Sequence, residues 1–135
     1  MTLLEHLLKV TIRITGAERG LAVNPLFEVQ HTVNFDGDVK ADADFWGFAL
    51  QTFGKASETR QPVLTNNVIT DPLQAPTTNT NFANLRLVVV FPIKQLGYVY
   101  IDQPVKRGAF TREQVNRLRQ VIEQIKSQGC FGCRR

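Results

Sequence analysis

Residues 84–114 read NLRLVVVFPIKQLGYVYIDQPVKRGAFTREQ, and this stretch decides the fold class. Its first part, residues 85–91, is an almost continuous apolar run rich in valine, which predicts a strand covered on both faces. Pro92 lacks a backbone donor and is the predicted end of that strand. A short connection at Gly97 leads into residues 98–102, and a connection of this length favours an antiparallel pair.

The second strand of the pair alternates, so its two faces differ. Val99 and Ile101 lie on one face, and the other face carries Tyr98, Tyr100 and Asp102. Further on, Thr111 is placed to cap a helix, and Gln114 completes a capping box three residues later. The sequence therefore predicts a strand pair followed by a helix.

That last helix has an apolar stripe. Phe110 can pack on Val115 as a hydrophobic staple at the helix start. Apolar residues then recur at steps of three and four, at Val115, Leu118, Ile122 and Ile125. Gly129 is the predicted end of the helix.

Length and composition are those of one globular domain. The chain has 135 residues, of which 43% are hydrophobic and 21% charged. No apolar run approaches the roughly 20 residues of a membrane span. Glu5 and His6 interrupt the apolar N-terminus, which argues against a secretory signal, so we expect a cytoplasmic protein with no membrane partner.

The net charge of +4 is mild, and part of it is concentrated near the C-terminus. A nucleic-acid surface would need a denser basic face with interleaved aromatic side chains. The pattern favours a solvated helix face with its cations near the helix C-terminus, and we expect no nucleic-acid partner.

The N-terminal part predicts a helix and two strands. Thr2 and Glu5 form a capping-box pattern before an apolar stripe, and Gly16 ends the helical period. Residues 21–23 read as a short strand. Residues 26–35 alternate, and the predicted shared face carries Phe27, Val29, His31, Val33 and Phe35.

The middle of the chain predicts a second helix and a long loop. Helical spacing covers about residues 45–58, and Pro62 stops it. Residues 63–65 are short enough for an edge strand. Residues 66–84 are polar and lack a period, and a loop of that length is usually functional or mobile. The resulting order predicts an α+β fold with a central antiparallel sheet.

That order of helices and strands, together with four short sequence segments, resembles a GAF domain over about residues 3–125. The matching pieces are TGAERGLAV (15–23), TRQPVLTNNVITDP (59–72), LRLVVVFPI (85–93) and LGYVYIDQPVKRGAFT (96–111). The resemblance implies a GAF/PAS-like sheet flanked by N- and C-terminal helices, with a helix and a loop roofing a pocket. We expect one domain at residues 1–128 and a flexible tail at 129–135 that carries a CxxC pair.

The known chemistries of the family do not identify a ligand or cofactor here. GAF domains that attach bilins use a cysteine followed by histidine within the domain, whereas Cys130 and Cys133 both follow the last predicted helix. GAF-type methionine sulfoxide reductases need core cysteines, which are absent from the predicted core. The pattern of cyclic-nucleotide GAF domains is matched only by Asn66, Asn67 and Asp71.

The predicted pocket lies under the middle helix and the long loop. Two aromatic residues form its wall, three polar residues supply donors and acceptors, and one aromatic residue closes it: Trp46, Phe53, Asn67, Thr70, Asp71 and Phe82. The alternative is that the aromatic wall is ordinary core and that the polar residues form a local turn.

His31 and the two cysteines each allow two interpretations. His31 can ligate a haem or metal, or can be a partly buried histidine bonded to the protein. Cys130 and Cys133 supply only half of a zinc site, so zinc would need two chains. The alternative, two free thiols in a flexible tail, is favoured, and we expect no metal site in the chain.

The apolar stripes of the first and last predicted helices indicate self-association. Residues expected to form a homodimer seam are Leu3, Leu7, Val115, Leu118, Ile122 and Ile125. The expected function is a small-molecule-binding sensory or regulatory domain of bacterial signal transduction, which couples pocket occupancy to the terminal helices. Its output partner would be a kinase, cyclase or transcriptional activator in cis or in trans. The alternative is a ligand-free dimerisation or protein-interaction module, and nothing in the sequence points to an enzyme.

Overall fold

The computed structural model describes residues 2–35, 37–65, 86–104 and 110–133. Its helices are α1 (Leu3–Thr15), α2 (Ala43–Thr59) and α3 (Arg112–Cys133). Its strands are β1 (Arg19–Val23), β2 (Val29–Val33), β3 (Val63–Thr65), β4 (Arg86–Ile93) and β5 (Gly97–Pro104). A 3₁₀ helix at Val39–Ala41 precedes α2.

The strands form one antiparallel sheet with the order β2-β1-β5-β4-β3. The hairpin of β4 and β5 that the sequence predicts is its centre, with Val89 opposite Ile101. On the other side of β5 lies β1, where Arg19 is opposite Asp102. This architecture confirms the predicted α+β class and the predicted order of helices and strands.

Each face of the sheet is covered by helix. The terminal-helix face packs against α1 and α3 through Ala22, Leu87, Val89, Phe91, Ile93, Val99 and Ile101. The α2 face packs against α2 through Leu21, Val23, Val88, Val90 and Tyr100. The alternation predicted for β5 is confirmed, because Val99 and Ile101 belong to the first core and Tyr98 and Tyr100 to the second. Burial of these side chains supplies the main force that holds the layers together.

Both terminal helices begin at the N-cap residue that the sequence predicts, and in the described part of the chain the two bonds of a capping box are present at α3. Thr2 accepts a hydrogen bond from the backbone N–H of Glu5, and Gly16 closes α1 in the left-handed conformation at φ 71°. At the start of α3, Thr111 Oγ1 accepts from the N–H of Gln114 at 3.0 Å. Gln114 Oε1 in turn accepts a hydrogen bond from the backbone N–H of Thr111 at 2.9 Å, which completes the capping box.

The strand β2 departs from the predicted alternation. Its pairing with β1 runs Ala22 to His31 and then Val23 to Val29, so Gln30 is an extra residue at a β-bulge. As a result Val29 packs in the α2 core and Val33 packs against the terminal-helix core. The prediction that Phe27, Val29, His31, Val33 and Phe35 share one face is therefore wrong. A single-residue shift exchanges the faces of a strand, and alternation alone cannot detect it.

Two predicted element ends are also wrong. Pro92 lies inside β4, which continues to Ile93; β3 pairs only as far as Val90, so the ladder on that side of β4 has already ended where the proline occurs. Gly129 does not stop α3, which continues to Cys133 through the segment predicted to be a flexible tail. In the described ranges neither α3 nor any other helix is long and apolar enough to cross a lipid bilayer.

A close contact joins the turns at one end of the sheet. Gly97 opens β5 with φ 135°, and a Cβ placed on it would lie 1.9 Å from the carbonyl oxygen of Val23. Only glycine has both the conformation and the space for this approach. The β4–β5 turn is therefore held directly against the end of β1.

Candidate functional site

A buried ionic network joins β1 to β5 on the α2 face. Asp102 is fully buried, and its carboxylate accepts two hydrogen bonds from the guanidinium of Arg19, from Nε at 2.8 Å and from Nη2 at 2.6 Å. The hydroxyl of Tyr100 donates a third bond to Asp102 Oδ2 at 2.6 Å. This bidentate, charge-assisted geometry fixes the plane of the guanidinium.

Aromatic rings hold Arg19 from the other side. Its guanidinium carbon lies 4.4 Å from the ring centre of Phe35 and 5.5 Å from that of Phe45. Burial lowers the pKa of Arg19, but the hydrogen bonds and the charge of Asp102 outweigh burial and raise it above its ordinary value. Arg19 is therefore a permanent cation in a fixed orientation.

Arg19 also lines an open cleft of about 530 Å³, which we call the Arg19 cleft. Its other lining residues come from the link between α1 and β1, the segment after β2 and the start of α2: Glu18, Asn34, Phe35, Asp38, Val39, Asp42 and Phe45. The volume falls in the range of small-molecule sites.

Two acidic residues of the cleft, Asp38 and Asp42, are positioned by helix starts. Asp38 Oδ1 accepts from the backbone N–H of Lys40 at 2.9 Å, which caps the 3₁₀ helix. Asp42 Oδ1 accepts from the N–H of Phe45 at 3.1 Å, which caps α2. A capping role explains why each carboxylate is held in place at the cleft wall.

The cleft offers several kinds of contact to a ligand. In the described part of the chain Arg19 donates only to Asp102, and its Nη1 group has no hydrogen-bond partner. Phe35 contributes an aromatic ring, and Asp38 and Asp42 contribute acceptors. Such a set suits a small polar molecule with a flat part. The described residues contain no cluster of three or more His, Cys, Asp or Glu side chains that could hold a metal ion.

The residues predicted to form the pocket wall lie elsewhere on α2. Phe53 is fully buried in the α2 core, where its ring packs near those of Phe27, Tyr98 and Tyr100. Trp46 is partly buried against the same core. Neither residue lines the Arg19 cleft. Four further predicted pocket residues lie outside the described residues, namely Asn67, Thr70, Asp71 and Phe82.

His31 is not brought together with Trp46 and Phe53. It is opposite Ala22 in the sheet, on the terminal-helix face, whereas Trp46 and Phe53 lie on the α2 face. Its Nε2 atom is 3.7 Å from Glu5 Oε2 of α1. The imidazole therefore links β2 to α1 and does not point toward the Arg19 cleft.

The residues predicted for a dimer seam are used largely within the chain. Leu7, Leu118 and Ile122 are buried in the terminal-helix core. Leu3, Val115 and Ile125 are only partly buried and pack against that core. Burial of the first three within the chain leaves them little surface for a partner copy, and the dimer seam itself stays a prediction. The side chains of Cys130 and Cys133 lie outside the described part.

Sequence reasoning did not identify Arg19 or the cleft around it. A signal was present, because Arg19 continues the alternation of Leu21 and Val23, and Asp102 continues that of Tyr98 and Tyr100. Each strand thus carries one charged residue on an otherwise apolar face. Recognising them as a pair needs the knowledge that β1 is the neighbour of β5, which separation in the chain hides.

Solved structures of known proteins share this arrangement of helices and strands. The crystal structure of a GAF domain/HD domain protein from Geobacter sulfurreducens has a TM-score of 0.63, covering 91% of this chain and 87% of that chain at 10% identity. A GAF domain of Synechocystis sp. PCC6803, solved in its photoproduct state, has a TM-score of 0.52, covering 98% of both chains at 15% identity. The sequence matches no protein-family model and no curated protein. At such identities the likeness establishes the fold alone.

Proposed function

We propose that this chain, which has the GAF fold, is a sensory or regulatory domain that binds a small molecule in the Arg19 cleft. The observation that carries this proposal is the oriented guanidinium of Arg19, fixed by a buried carboxylate at the wall of a cleft of about 530 Å³. A charged group held so rigidly is preorganised to receive a ligand at little further entropic cost. The domain acts by binding and not by catalysis.

The ligand class follows from the lining. An acceptor atom of the ligand accepts a hydrogen bond from Nη1 of Arg19, and donor groups of the ligand donate to the carboxylates of Asp38 and Asp42. A flat apolar part lies along Phe35, whose ring already stacks on the guanidinium. Small nitrogen heterocycles and amino acids with donor and acceptor groups have this chemistry.

A route from the cleft to the terminal helices is available through β1. Arg19 is followed by Gly20, whose missing side chain leaves room for Leu8 and Ile12 of α1; a Cβ there would lie 2.6 Å from each. Because Arg19 is held rigidly against β1 and β5, a ligand that pulls on its guanidinium displaces β1 as well, and α1 rests on this backbone. Such coupling requires a ligand that binds the two positions of β1 with different affinity.

The wider role we propose is in bacterial signal transduction in the cytoplasm. There the moved α1 would act on an output domain, a kinase, cyclase or transcriptional activator in cis or in trans, within a homodimer. The partly buried residues Leu3, Val115 and Ile125 are the parts of the predicted seam that can still contribute to such a contact.

The alternative function is a ligand-free interaction module. One observation favours it: Phe45 and Phe53 fill the space between α2 and the sheet, against Tyr100. In that case the Arg19–Asp102 pair only ties two strands together, and the cleft is a surface feature.

A ligand screen separates the two functions. The protein is melted with a panel of nucleotides, amino acids, amines, haem and bilins, since a ligand that binds only the folded state raises the melting temperature. Each hit is then titrated calorimetrically into wild type and Arg19→Lys, which keeps the charge but loses the planar fork. We expect affinity to fall by about tenfold or more in Arg19→Lys.

The control is Arg13→Lys, the same change at an exposed residue of α1 outside the cleft. It should leave the affinity unchanged. A hit whose affinity is equal in wild type and Arg19→Lys binds elsewhere and contradicts the proposed site. A panel without any hit supports the interaction module.

A further inference from the structure

A second concave surface lies at the opposite end of α2. Two adjoining cavities, of about 580 and 120 Å³, share Arg60, Pro92 and Glu123 in their walls. Together they run from the β1–β2 turn, past the end of α2 and the β4–β5 turn, to α3. We call this surface the basic groove.

The groove is lined by three cations and one anion: Arg60, Lys94, Arg119 and Glu123. All four residues are exposed. In the described part of the chain none of the three cations forms an ion pair, although ion pairs form elsewhere in it. Unpaired cations converging on one concave surface favour an anionic partner.

Apolar and aromatic groups lie between these charges. Pro25, Pro92 and Tyr98 line the larger cavity, and Pro62 and Phe91 line the smaller. The groove therefore offers apolar area as well as charge, which is the composition of a protein-binding surface.

An exposed leucine is held next to the groove. Leu26, which follows the lining residue Pro25, is 78% exposed. The turn that carries it is rigid, because Asn24 Oδ1 accepts from the N–H of Leu26 at 2.9 Å and from that of Glu28 at 3.0 Å. Phe27 adopts φ 65° in this turn and packs its ring near Phe53, which leaves Leu26 facing outward.

We propose that the basic groove docks an acidic segment of a partner protein, with its acidic side chains on Arg60, Lys94 and Arg119 and an apolar side chain on Leu26 and Pro25. A preformed groove with an apolar anchor at one end suits a peptide. Glu123 lies in the wall shared by both cavities, and it would repel the uninterrupted charge of a nucleic-acid backbone. This site is separate from the Arg19 cleft and does not depend on a ligand there.

Fluorescence anisotropy with a labelled peptide of alternating glutamate and leucine tests the proposal. We expect it to bind wild type and to weaken as salt rises from about 0.05 M to about 0.5 M. Lys94→Glu and Arg119→Glu should each weaken binding about tenfold, and Leu26→Ser about fivefold. A peptide with lysine in place of glutamate should bind the Lys94→Glu, Arg119→Glu double variant better than wild type.

The matched control is Lys55→Glu, which makes the same charge change at an exposed residue of α2 outside the groove. It should change the affinity by less than about twofold. If Lys55→Glu weakens binding as much as Lys94→Glu, the attraction is general and the proposal fails. It also fails if single-stranded RNA or phosphatidylserine vesicles bind more tightly than the peptide with the same dependence on Lys94 and Arg119.

Nuclear magnetic resonance supplies a readout of position. On addition of the glutamate–leucine peptide, amide shifts should be confined to residues 24–28, the end of α2, the β4–β5 turn and the middle of α3. Shifts centred on the Arg19 cleft instead would overturn the assignment of the groove.

Discussion

At the scale of single residues, Gly97 and the carbonyl oxygen of Val23 set the distance between two turns of the sheet. A side chain at Gly97 would have its first carbon 1.9 Å from that oxygen, and the backbone there has φ 135°. Both the clash and the unfavourable φ must be relieved by moving the β4–β5 turn, because the opposing atom belongs to backbone and cannot rotate away. Tyr98 follows directly and faces the α2 core, so the displacement reaches the interior.

We therefore expect Gly97→Ala to lower the free energy of unfolding by about 3 kcal/mol or more. Urea denaturation followed by the fluorescence of Trp46 measures the change. The control is Gly54→Ala in α2, where a Cβ meets no heavy atom within 4 Å. The free energy of unfolding of that variant should rise by about 0.5–1 kcal/mol, because alanine restricts the unfolded chain more than glycine does. An equal urea midpoint for Gly97→Ala and wild type would contradict the close approach.

At the scale of helices and strands, the sequence predicts helix caps and the hairpin between adjacent strands. It does not predict which strands distant in the chain become neighbours in the sheet. The capping box of Thr111 and Gln114 and the β4–β5 pair are set by nearby residues, and both are confirmed. The resemblance to GAF domains is confirmed for the fold. The bulge at Gln30 and the pairing of Arg19 with Asp102 depend on which strands become neighbours, and alternation within one strand carries no such information.

The candidate site was missed for the same reason. Helical spacing on α2 indicates a wall of aromatic residues, and Phe53 at that spacing packs in the core. The Arg19 cleft instead lies where β1, β5 and the start of α2 meet, which is a tertiary arrangement. Asp38 and Asp42 could have been recognised only as helix caps, since that is their local role.

The contact between α1 and β2 should respond to pH through Glu5. The hydrogen bond from Lys9 is the main cause that lowers the pKa of Glu5; burial opposes it, and the charge of His31 lowers the pKa further. Because the folded-state pKa is depressed, the stabilisation is present above the ordinary pKa of a glutamate and is lost as pH falls through the folded-state pKa.

We expect Lys9→Met to raise the pKa of Glu5 toward its ordinary value, and His31→Asn to raise it by a smaller amount. Titration of the Glu5 side-chain carboxyl by carbon-13 resonance measures both shifts. Lys40→Met, a change near Trp46 and far from α1, should leave the pKa of Glu5 where it is. A larger effect from His31→Asn than from Lys9→Met would reverse the order of causes given above.

At the scale of the whole molecule, the sheet separates two cores that are closed by different parts of the chain. The terminal helices α1 and α3 close one core together, and the central helix α2 closes the other. Because Leu7, Leu118 and Ile122 are buried in the first core, α1 and α3 contribute to the stability of the single chain. Self-association would have to use what these residues leave exposed.

Leu118→Ala tests this division. The residue is 1% exposed, so its truncation should cost about 2–5 kcal/mol of unfolding free energy. Since the lost contacts are within one chain, the fall in melting temperature should be the same at protein concentrations about tenfold apart. Val115→Ala, at a partly buried position one turn earlier, should cost less. A loss that grows on dilution would place Leu118 between two chains.

The bulge in β2 has a consequence for how copies of this domain meet in concentrated solution. β2 is an edge strand of the sheet, and Gln30 interrupts the regular spacing of its backbone amide and carbonyl groups. A strand from a second molecule finds no continuous row of partners there, so the sheet resists being extended from chain to chain into a fibre. The irregularity that defeats alternation as a guide to this strand thus also makes β2 a poor template for an added strand.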